Sequence, residues 1–260
     1  MRSKTLYTIL SLILLLSSNS YAQQIPVNYS DGDNKLTGYF SKAKANKVKA
    51  PGIVIIPAWF GITDHEKTSA TKLAALGYHA FAADIYGVGN NPTKPQEAGE
   101  KSGYYKSNPE IFQSRIKAAI AQIIKRGADP QRIVVMGYCF GGTGALEAAR
   151  GDLPVKAVIS FHGGLGKEVK RSNEIIKPKV LVLHGADDPF VPAADISNFQ
   201  KEMKDGKADW QMIYYSNAVH AFTDKKAGND NSKGAAYNET ADKRSWAHMK
   251  LFLNELFMSL

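Results

Sequence analysis

The sequence IVVMGYCFGGTG, residues 133–144, contains the pattern that decides the fold of this chain. Its four apolar residues at 133–136 predict a buried strand, and the segment GYCFG at 137–141 predicts a sharp turn. A helix rich in small residues is predicted to begin at Gly142. Glycines on both sides of the turn suit a strained backbone against which a strand and a helix pack closely. The stretch therefore predicts a strand, a tight turn and a helix, with Cys139 exposed at the turn.

The turn resembles the nucleophile elbow of the α/β hydrolases, G-x-S-x-G, with cysteine in place of the usual serine. In that geometry the sulfur of Cys139 lies at a helix N-terminus, where the helix dipole and free N–H groups favour a thiolate. The alternative is a buried cysteine in a glycine-rich turn, which is the commoner environment of a single cysteine. Because Cys139 is the only cysteine in the chain, it cannot form a disulfide within it.

The length and composition of the chain are those of one globular domain. It has 260 residues, of which 44% are hydrophobic and 22% are charged, and it contains no low-complexity tract. A chain of this size can bury a large core, and α/β folds of this length often form one unit. We therefore expect a single domain over residues 23–260.

The beginning of the chain has the pattern of a secretory signal peptide, residues 1–22. Arg2 and Lys4 form a basic start, residues 6–16 are apolar, and Ser20-Tyr21-Ala22 is a small-residue cleavage site. The apolar stretch is short for a membrane span. We expect cleavage after Ala22 and a mature protein that is periplasmic or secreted, without a stable membrane anchor.

The chain is basic, but its charges do not form a nucleic-acid-binding pattern. Its formal net charge of +9 becomes +7 when Arg2 and Lys4 leave with the signal peptide. The remaining lysines are scattered among acidic residues, and no basic stripe alternates with aromatic residues. This pattern is typical of a solvated basic surface. We expect no nucleic-acid partner, and the sequence indicates no particular oligomeric state.

Strand-like and helix-like segments alternate along the rest of the chain. Alternating runs at 25–29 and 35–40, joined by a glycine-containing turn, predict a β-hairpin at a sheet edge. The other predicted strands are 52–57, 78–83, 133–136, 155–160, 179–184 and 210–215, and the predicted helices are 67–76, 109–127, 142–150, 192–204 and 235–258. Residues 85–108 are predicted to be a long irregular wall or mobile segment. The alternation predicts an α/β fold with a mostly parallel central sheet and helices on both faces.

Candidate partners for a cysteine nucleophile follow two later strands of the predicted sheet. Asp187 and Asp188 come after the strand at 179–184, and His220 comes after the strand at 210–215. A nucleophile needs a base and the base needs an orienting acid, and α/β hydrolases supply them in this order. Because the carboxyl ends of parallel strands meet at one edge of the sheet, we expect these side chains to lie together. Alternatively, either aspartate caps the next helix and His220 is an ordinary loop histidine.

Three motifs resemble those of the dienelactone hydrolase (carboxymethylenebutenolidase-like) family of the α/β-hydrolase superfamily. They are GYCFGG at 137–142, DPFVP at 188–192 and HAF at 220–222. The resemblance covers nearly the whole mature chain and implies the α/β-hydrolase fold. It also selects Asp188 over Asp187, because the family's acid stands directly before x-F-V-P.

The resemblance and the chemistry together imply a role for each site residue. Cys139 attacks a carbonyl carbon, His220 takes its proton and later activates water, and Asp188 fixes the imidazole tautomer. The backbone N–H of Phe140, directly after the nucleophile, would hold the oxyanion. By resemblance, the N–H of Trp59 is the second oxyanion donor.

Three positions depart from the family pattern. Ala58 replaces the acidic residue before the second oxyanion donor, and Val88 and Asp224 replace two arginines. Two lost arginine contacts to a carboxylate argue against dienelactone itself as the substrate. With Ala58 in place of the acid, we hypothesise that the site rests as a Cys139 thiolate paired with a His220 imidazolium.

Phe60 and His162 are candidate substrate-wall residues, since Phe60 follows the oxyanion donor and His162 ends a strand beside two glycines. The alternatives are a hydrophobic cover over the core for Phe60, together with Trp59, and a structural loop histidine for His162. His65-Glu66 lacks the second histidine of the zinc helix motif, and we expect no metal and no cofactor.

The sequence thus predicts an exported cysteine hydrolase of an ester, lactone or thioester, acting through an acyl-enzyme intermediate on a small-molecule substrate. The alternative is an inactive hydrolase fold that serves as a binding protein, which the departures from the family pattern leave open. A redox role for Cys139 is weaker, because the chain has no resolving cysteine.

Overall fold

The computed structural model describes residues 24–44, 49–168 and 170–257. The predicted signal peptide at residues 1–22 lies outside the described residues. Within them the chain forms one eight-stranded sheet. Its strands are β1 (Gln24–Asp31), β2 (Asn34–Ser41), β3 (Gly52–Ile56), β4 (His79–Ala82), β5 (Ile133–Tyr138), β6 (Ala157–Phe161), β7 (Lys179–Gly185) and β8 (Trp210–Tyr215).

The strands lie side by side in the order β1-β2-β4-β3-β5-β6-β7-β8. All strands from β3 to β8 pair in parallel. The β1–β2 hairpin is antiparallel, lies at one edge and pairs antiparallel with β4. This topology confirms the predicted mostly parallel sheet with a hairpin at its edge. The carboxyl ends of β3, β5, β7 and β8 therefore meet at the same edge of the sheet.

Helices cover both faces of the sheet, as the alternation predicted. They are α1 (Asp64–Ala75), α2 (Pro95–Ser107), α3 (Pro109–Lys125), α4 (Phe140–Arg150), α5 (Ala193–Asp205) and α6 (Glu239–Phe257). Helices α2 to α5 contribute to one core cluster, and α1 and α6 contribute to the other. Strand β3 serves both clusters, because alternate residues of a strand face opposite sides. None of the helices in the described part of the chain is long and apolar enough to span a membrane.

Helix α2 contradicts the irregular segment that we expected over residues 85–108. Pro95 lies in its first turn, where the missing N–H of proline has no helical partner to lose. Glu97 accepts hydrogen bonds from the backbone N–H and the hydroxyl of Thr93, at 2.9 and 3.2 Å. The helix buries only Ala98, Ser102 and Tyr105. Its apolar stripe is therefore too weak to indicate a helix from periodicity alone.

Helix α1 begins at Asp64, earlier than the predicted start at residue 67. The hydroxyl of Thr63 accepts the N–H of His65 at 3.2 Å, and the carboxylate of Glu66 accepts the N–H of Thr63 at 2.8 Å. This is a capping box, which supplies acceptors for N–H groups that lack partners at a helix start. The added turn brings His65 and Glu66 onto a rigid helix instead of a loop.

The glycines of the GYCFG turn allow three elements to pack with their backbones in contact. A Cβ atom on Gly137 would lie 2.0 Å from the carbonyl oxygen of Gly141, and one on Gly141 would lie 2.1 Å from that of Ile56. Real Cβ atoms do not approach backbone so closely, so neither position tolerates a side chain. The turn is therefore held directly against the end of β3, which leads into the loop with Trp59.

Candidate active site

Cys139 lies in the turn between β5 and α4, with its sulfur at the start of the helix. Its φ of 55° and ψ of −115° are strained for a residue with a side chain. Its carbonyl oxygen accepts the N–H groups of Gly142 and Thr143, at 2.9 and 3.2 Å, which begin α4. The residue is partly exposed, and the N–H of Phe140, the first residue of α4, favours its thiolate. This geometry matches the elbow that the sequence pattern predicted.

Asp188 and His220 form the second half of the constellation. Asp188 follows β7 and His220 follows β8, and Nδ1 of His220 lies 2.8 Å from Oδ2 of Asp188. The other carboxylate oxygen of Asp188 accepts the N–H of Phe190 at 2.9 Å. The Asp188 side chain is 0% exposed, whereas the neighbouring Asp187 is exposed. Since Nδ1 is bound to the carboxylate, Nε2 of His220 is the nitrogen left to interact with the thiol of Cys139.

Burial and charge act in opposite directions on the Cys139–His220 pair. Burial disfavours the thiolate, but the positive charge and hydrogen bond of His220 and the N–H of Phe140 outweigh it, so the pKa of Cys139 is lowered. Burial also disfavours the imidazolium, but Cys139 and Asp188 outweigh it, so the pKa of His220 is raised. The two shifts favour a thiolate–imidazolium pair over a neutral thiol and imidazole.

The two backbone segments expected to hold an oxyanion are joined through Tyr86. Its hydroxyl donates to the carbonyl oxygen of Trp59 at 2.9 Å, and its ring stacks on Phe140 with centroids 5.7 Å apart. Behind the Trp59 loop, the carboxylate of Glu66 is 1% exposed. One of its oxygens accepts the N–H of Ala58 at 3.3 Å, and the other accepts the N–H and hydroxyl of Thr63, both at 2.8 Å. Glu66 was not among the predicted site residues, although the Thr63-x-x-Glu66 capping pattern could have indicated it.

The three departures from the family pattern have distinct environments. Ala58 brings no side-chain carboxylate to the site, and the nearby Glu66 is committed to the loop backbone. Val88 is 58% exposed, and its backbone N–H donates to the carbonyl oxygen of Lys35 at 2.9 Å. Asp224 accepts the N–H of Lys226 at 2.9 Å and caps a short 3-10 helix. None of these three side chains supplies a cation to the site.

The structure buries His162 behind the nucleophile. The residue is 2% exposed, and both ring nitrogens are occupied. Nδ1 accepts the N–H of Cys139 at 3.2 Å, and Nε2 lies 2.8 Å from Oγ1 of Thr223. A buried ring with both nitrogens bonded fits the alternative of a structural histidine, and the wall role stays a prediction. Thr223 was not predicted, because nothing in its local sequence indicates its contact with His162.

Aromatic side chains flank the reactive groups. Phe60 is partly buried, and its ring packs edge-to-face against Trp59 with centroids 5.2 Å apart. Trp59 is 37% exposed, and Phe190 is 59% exposed with its ring 5.4 Å from that of His220. Phe190 is a wall candidate that the sequence analysis did not include. Among the described residues, no group of three or more His, Cys, Asp or Glu side chains is arranged to hold a metal ion.

The comparisons with known proteins agree with this geometry. The family model described as "Dienelactone hydrolase family" matches residues 36–257 of this chain. The chain belongs to the dienelactone hydrolase family. It is accordingly a hydrolase that acts on ester or lactone bonds.

This dienelactone hydrolase family member is similar to a curated protein and to two solved structures over most or half of its length. The Caenorhabditis elegans protein K02A2.1 is 34% identical over 136 residues, which is 50% of this chain and 83% of that protein. The structure titled "m3DLH" is 33% identical with a TM-score of 0.86, covering 91% of this chain and 99% of its own. A dienelactone hydrolase-like promiscuous phosphotriesterase from metagenomic libraries is 35% identical with a TM-score of 0.84 and the same coverage.

The Cys139–His220 pair predicts that the thiol reacts at a pH where ordinary thiols do not. The rate of alkylation by iodoacetamide, followed by intact-protein mass, should titrate with a midpoint below the value of about 8.5 of an ordinary thiol. The thiolate is lost only when the pH falls through the lowered pKa of Cys139. Because His220→Gln removes the charge that stabilises the thiolate, it should move the midpoint upward.

His248→Gln is the matched control, because Nδ1 of His248 bonds the Tyr215 hydroxyl at 2.8 Å and the residue lies on α6. That variant should keep the wild-type midpoint. A wild-type midpoint equal to that of an ordinary thiol would contradict the ion pair.

Proposed function

We propose that this family member hydrolyses esters or lactones with Cys139 as nucleophile, through an acyl-cysteine intermediate. The observation that carries the proposal is the hydrogen bond of His220 to buried Asp188, together with the strained elbow that presents Cys139 to the same imidazole. An inactive binding protein would not need a strained, partly exposed thiol with a lowered pKa. The same arrangement would act on a thioester.

In the first half-reaction the thiolate of Cys139 forms a bond to the carbonyl carbon of the substrate. The carbonyl electron pair moves to oxygen, and the N–H groups of Phe140 and Trp59 are proposed to bind the oxyanion. Collapse of this intermediate breaks the C–O bond of the ester. The imidazolium of His220 gives its Nε2 proton to the leaving alkoxide, and Asp188 keeps the neutral ring in the required tautomer.

In the second half-reaction neutral His220 removes a proton from water. The resulting hydroxide attacks the acyl carbon, and the C–S bond breaks to release the carboxylic acid. Cys139 leaves as a thiolate beside the newly formed imidazolium of His220, so the resting ion pair is restored. One ester and one water yield one acid and one alcohol, and no cofactor is required.

We propose that the preferred substrates are uncharged near the reacting carbonyl. Positions 88 and 224 carry valine and aspartate where the family pattern has arginines, and Asp224 would repel a carboxylate. The exposed aromatic rings of Trp59 and Phe190 offer apolar contact area next to the site. Both features favour neutral, partly apolar esters over dienelactone, which carries a carboxylate.

The nucleophile proposal is tested by trapping the acyl-enzyme from p-nitrophenyl butyrate. The wild-type protein should release p-nitrophenol with turnover, and Cys139→Ala should lose at least about 10³-fold in kcat/KM. His220→Asn should accumulate a butyryl adduct on Cys139 because water is no longer activated. Quenched samples analysed by intact mass and peptide mapping give the adduct and its position.

Asp188→Asn and Asp187→Asn form a matched pair for the orienting acid. The first should lower kcat by about 10²–10⁴-fold, because it leaves the His220 ring in the wrong tautomer. The second changes an exposed carboxylate and should leave kcat unchanged. Equal hydrolysis by wild type and Cys139→Ala would refute the nucleophile. Tight ligand binding without turnover of any ester, lactone or thioester would favour the binding-protein alternative.

Phosphotriester hydrolysis is a second candidate function. A 35% identical solved structure is titled a promiscuous phosphotriesterase, and it covers 91% of this chain. A phosphotriester is uncharged, so the absence of arginine at positions 88 and 224 does not disfavour it. The thiolate of Cys139 would attack phosphorus and expel an alkoxide or phenolate, and water would then cleave the P–S bond.

Paraoxon tests this second candidate, since each turnover releases p-nitrophenol. We expect release of many equivalents by the wild-type protein and none above background by Cys139→Ala. One equivalent of p-nitrophenol with a stable phosphoryl adduct on Cys139 would mean inhibition and would exclude phosphotriesterase activity. No release by the wild-type protein would exclude it as well.

We also propose that the protein is exported to the periplasm or secreted, on the basis of the signal-peptide pattern at residues 1–22. Expression of the full chain in a Gram-negative host should yield a periplasmic protein whose N-terminus is Gln23. Ala22→Leu places a bulky residue at the cleavage site and should retain the longer form. A cytoplasmic protein with an uncleaved N-terminus in the unchanged sequence would refute the proposal.

A further inference from the structure

We propose that His162 and Thr223 form a clamp that fixes the backbone of the nucleophile against the loop of the general base. In this role His162 is a positioning residue for the reaction proposed above, and the inference rests on that proposed function. The clamp consists of the Cys139 N–H, the His162 imidazole and the Thr223 hydroxyl.

The first contact of the clamp is at the nucleophile itself. The N–H of Cys139 is shared between two acceptors, the carbonyl oxygen of Phe161 at 3.0 Å and Nδ1 of His162 at 3.2 Å. Phe161 is the last residue of β6, the strand next to the elbow strand, and His162 follows it directly. The imidazole therefore adds a side-chain restraint to a residue whose own backbone conformation is unfavourable.

The second contact is on the loop that carries His220. Nε2 of His162 lies 2.8 Å from the hydroxyl oxygen of Thr223, which is 5% exposed. Thr223 is separated from His220 only by Ala221 and Phe222. The ring of His162 also packs edge-to-face against those of Phe222 and His220, with centroids 4.9 and 5.4 Å apart. One buried side chain thus contacts both reactive partners of the proposed mechanism.

The hydrogen bonds of the clamp specify one tautomer of His162. Because the Cys139 N–H is a donor, Nδ1 must be the unprotonated acceptor, and the proton of the neutral ring lies on Nε2. Nε2–H then donates to Thr223, whose hydroxyl oxygen also lies 3.4 Å from Nε2 of His65. These contacts connect the elbow, the end of β6, the His220 loop and α1.

The environment of His162 keeps this ring neutral. Burial, followed by the positive charge of His220, holds the pKa of His162 well below its usual range. Protonation would put a hydrogen on Nδ1 facing the Cys139 N–H and would place a second cation beside the His220 imidazolium. A neutral ring is therefore compatible with the proposed ion pair, and a charged one is not.

Backbone strain shows why such a clamp is needed. Cys139, His162 and Ala221 all have positive φ, at 55°, 40° and 58°, although none is glycine. Such conformations persist only where the surrounding structure holds them. The three residues lie on the three segments that the clamp joins, so loss of its hydrogen bonds should let sulfur and imidazole move apart.

Thr223→Val is the test variant, because it removes the acceptor and keeps the shape of the side chain. The buried Nε2–H of His162 would lose its partner, which favours the other tautomer and breaks the bond to the Cys139 N–H. We expect kcat for p-nitrophenyl butyrate to fall about 10–100-fold, with KM changed less than about twofold. Thr223→Ser keeps a hydroxyl at the same position and should restore most of the rate.

Thr37→Val is the matched control for removal of a threonine hydroxyl. The Thr37 hydroxyl donates to Asn28 at 2.9 Å on the β1–β2 hairpin, so this variant should leave kcat unchanged. Thr223→Val and Thr223→Ser with equal kcat would overturn the clamp. So would a fall in kcat for Thr37→Val as large as that for Thr223→Val.

Two measurements test the clamp without any ester turnover and so separate it from the proposed function. Nitrogen-15 NMR of the wild-type histidines should show His162 neutral with its proton on Nε2 at neutral pH, and a proton on Nδ1 would overturn the clamp even if no variant folds. In Thr223→Val the pH midpoint for alkylation of Cys139 should rise towards that of an ordinary thiol. An alkylation midpoint in Thr223→Val equal to that of the wild type would overturn the clamp. If the midpoint rises as expected but the wild-type protein hydrolyses no ester, only the proposed function is refuted.

Discussion

The active site depends on the hydrogen bond between the fully buried carboxylate of Asp188 and Nδ1 of His220. A buried carboxylate is stable only with charge or hydrogen-bond partners, and this one has the imidazole and the N–H of Phe190. The bond in turn directs Nε2 of His220 towards Cys139 and favours the protonated ring. The lowered pKa of the Cys139 thiol requires this ring to be held in place, because His220 supplies the charge that stabilises the thiolate.

Glu66 and His162 behind the site are buried and hydrogen-bonded, whereas exposed aromatic rings flank its open side and positions 88 and 224 lack the family's arginines. Both carboxylate oxygens of Glu66 accept backbone N–H groups of the loop between β3 and α1. The chain therefore retains a carboxylate beside Ala58, but uses it to shape backbone and not to contact the thiol. This division is the basis on which neutral substrates are proposed.

The fold was largely predictable because its strands are continuous apolar runs and its turns contain the residues that such turns require. The errors were at α2 and at the start of α1, where stability comes from end caps and a few buried residues. Periodicity is a poor guide to such helices, since only their ends have a distinct sequence signal. His162 was found as a candidate, but its contacts with Cys139 and Thr223 were not foreseen, because sequence shows that a residue follows a strand and does not show which way its side chain points.

The sequence by itself determined the strand order along the chain, the GYCFG turn and the order of cysteine, aspartate and histidine. These are local patterns or consequences of the parallel topology, which brings strand ends to one edge. Only the tertiary structure decided which groups touch: His162 with Cys139 and Thr223, and Glu66 with Ala58. These contacts join residues on different elements, and their energies depend on burial and orientation, which no local pattern records.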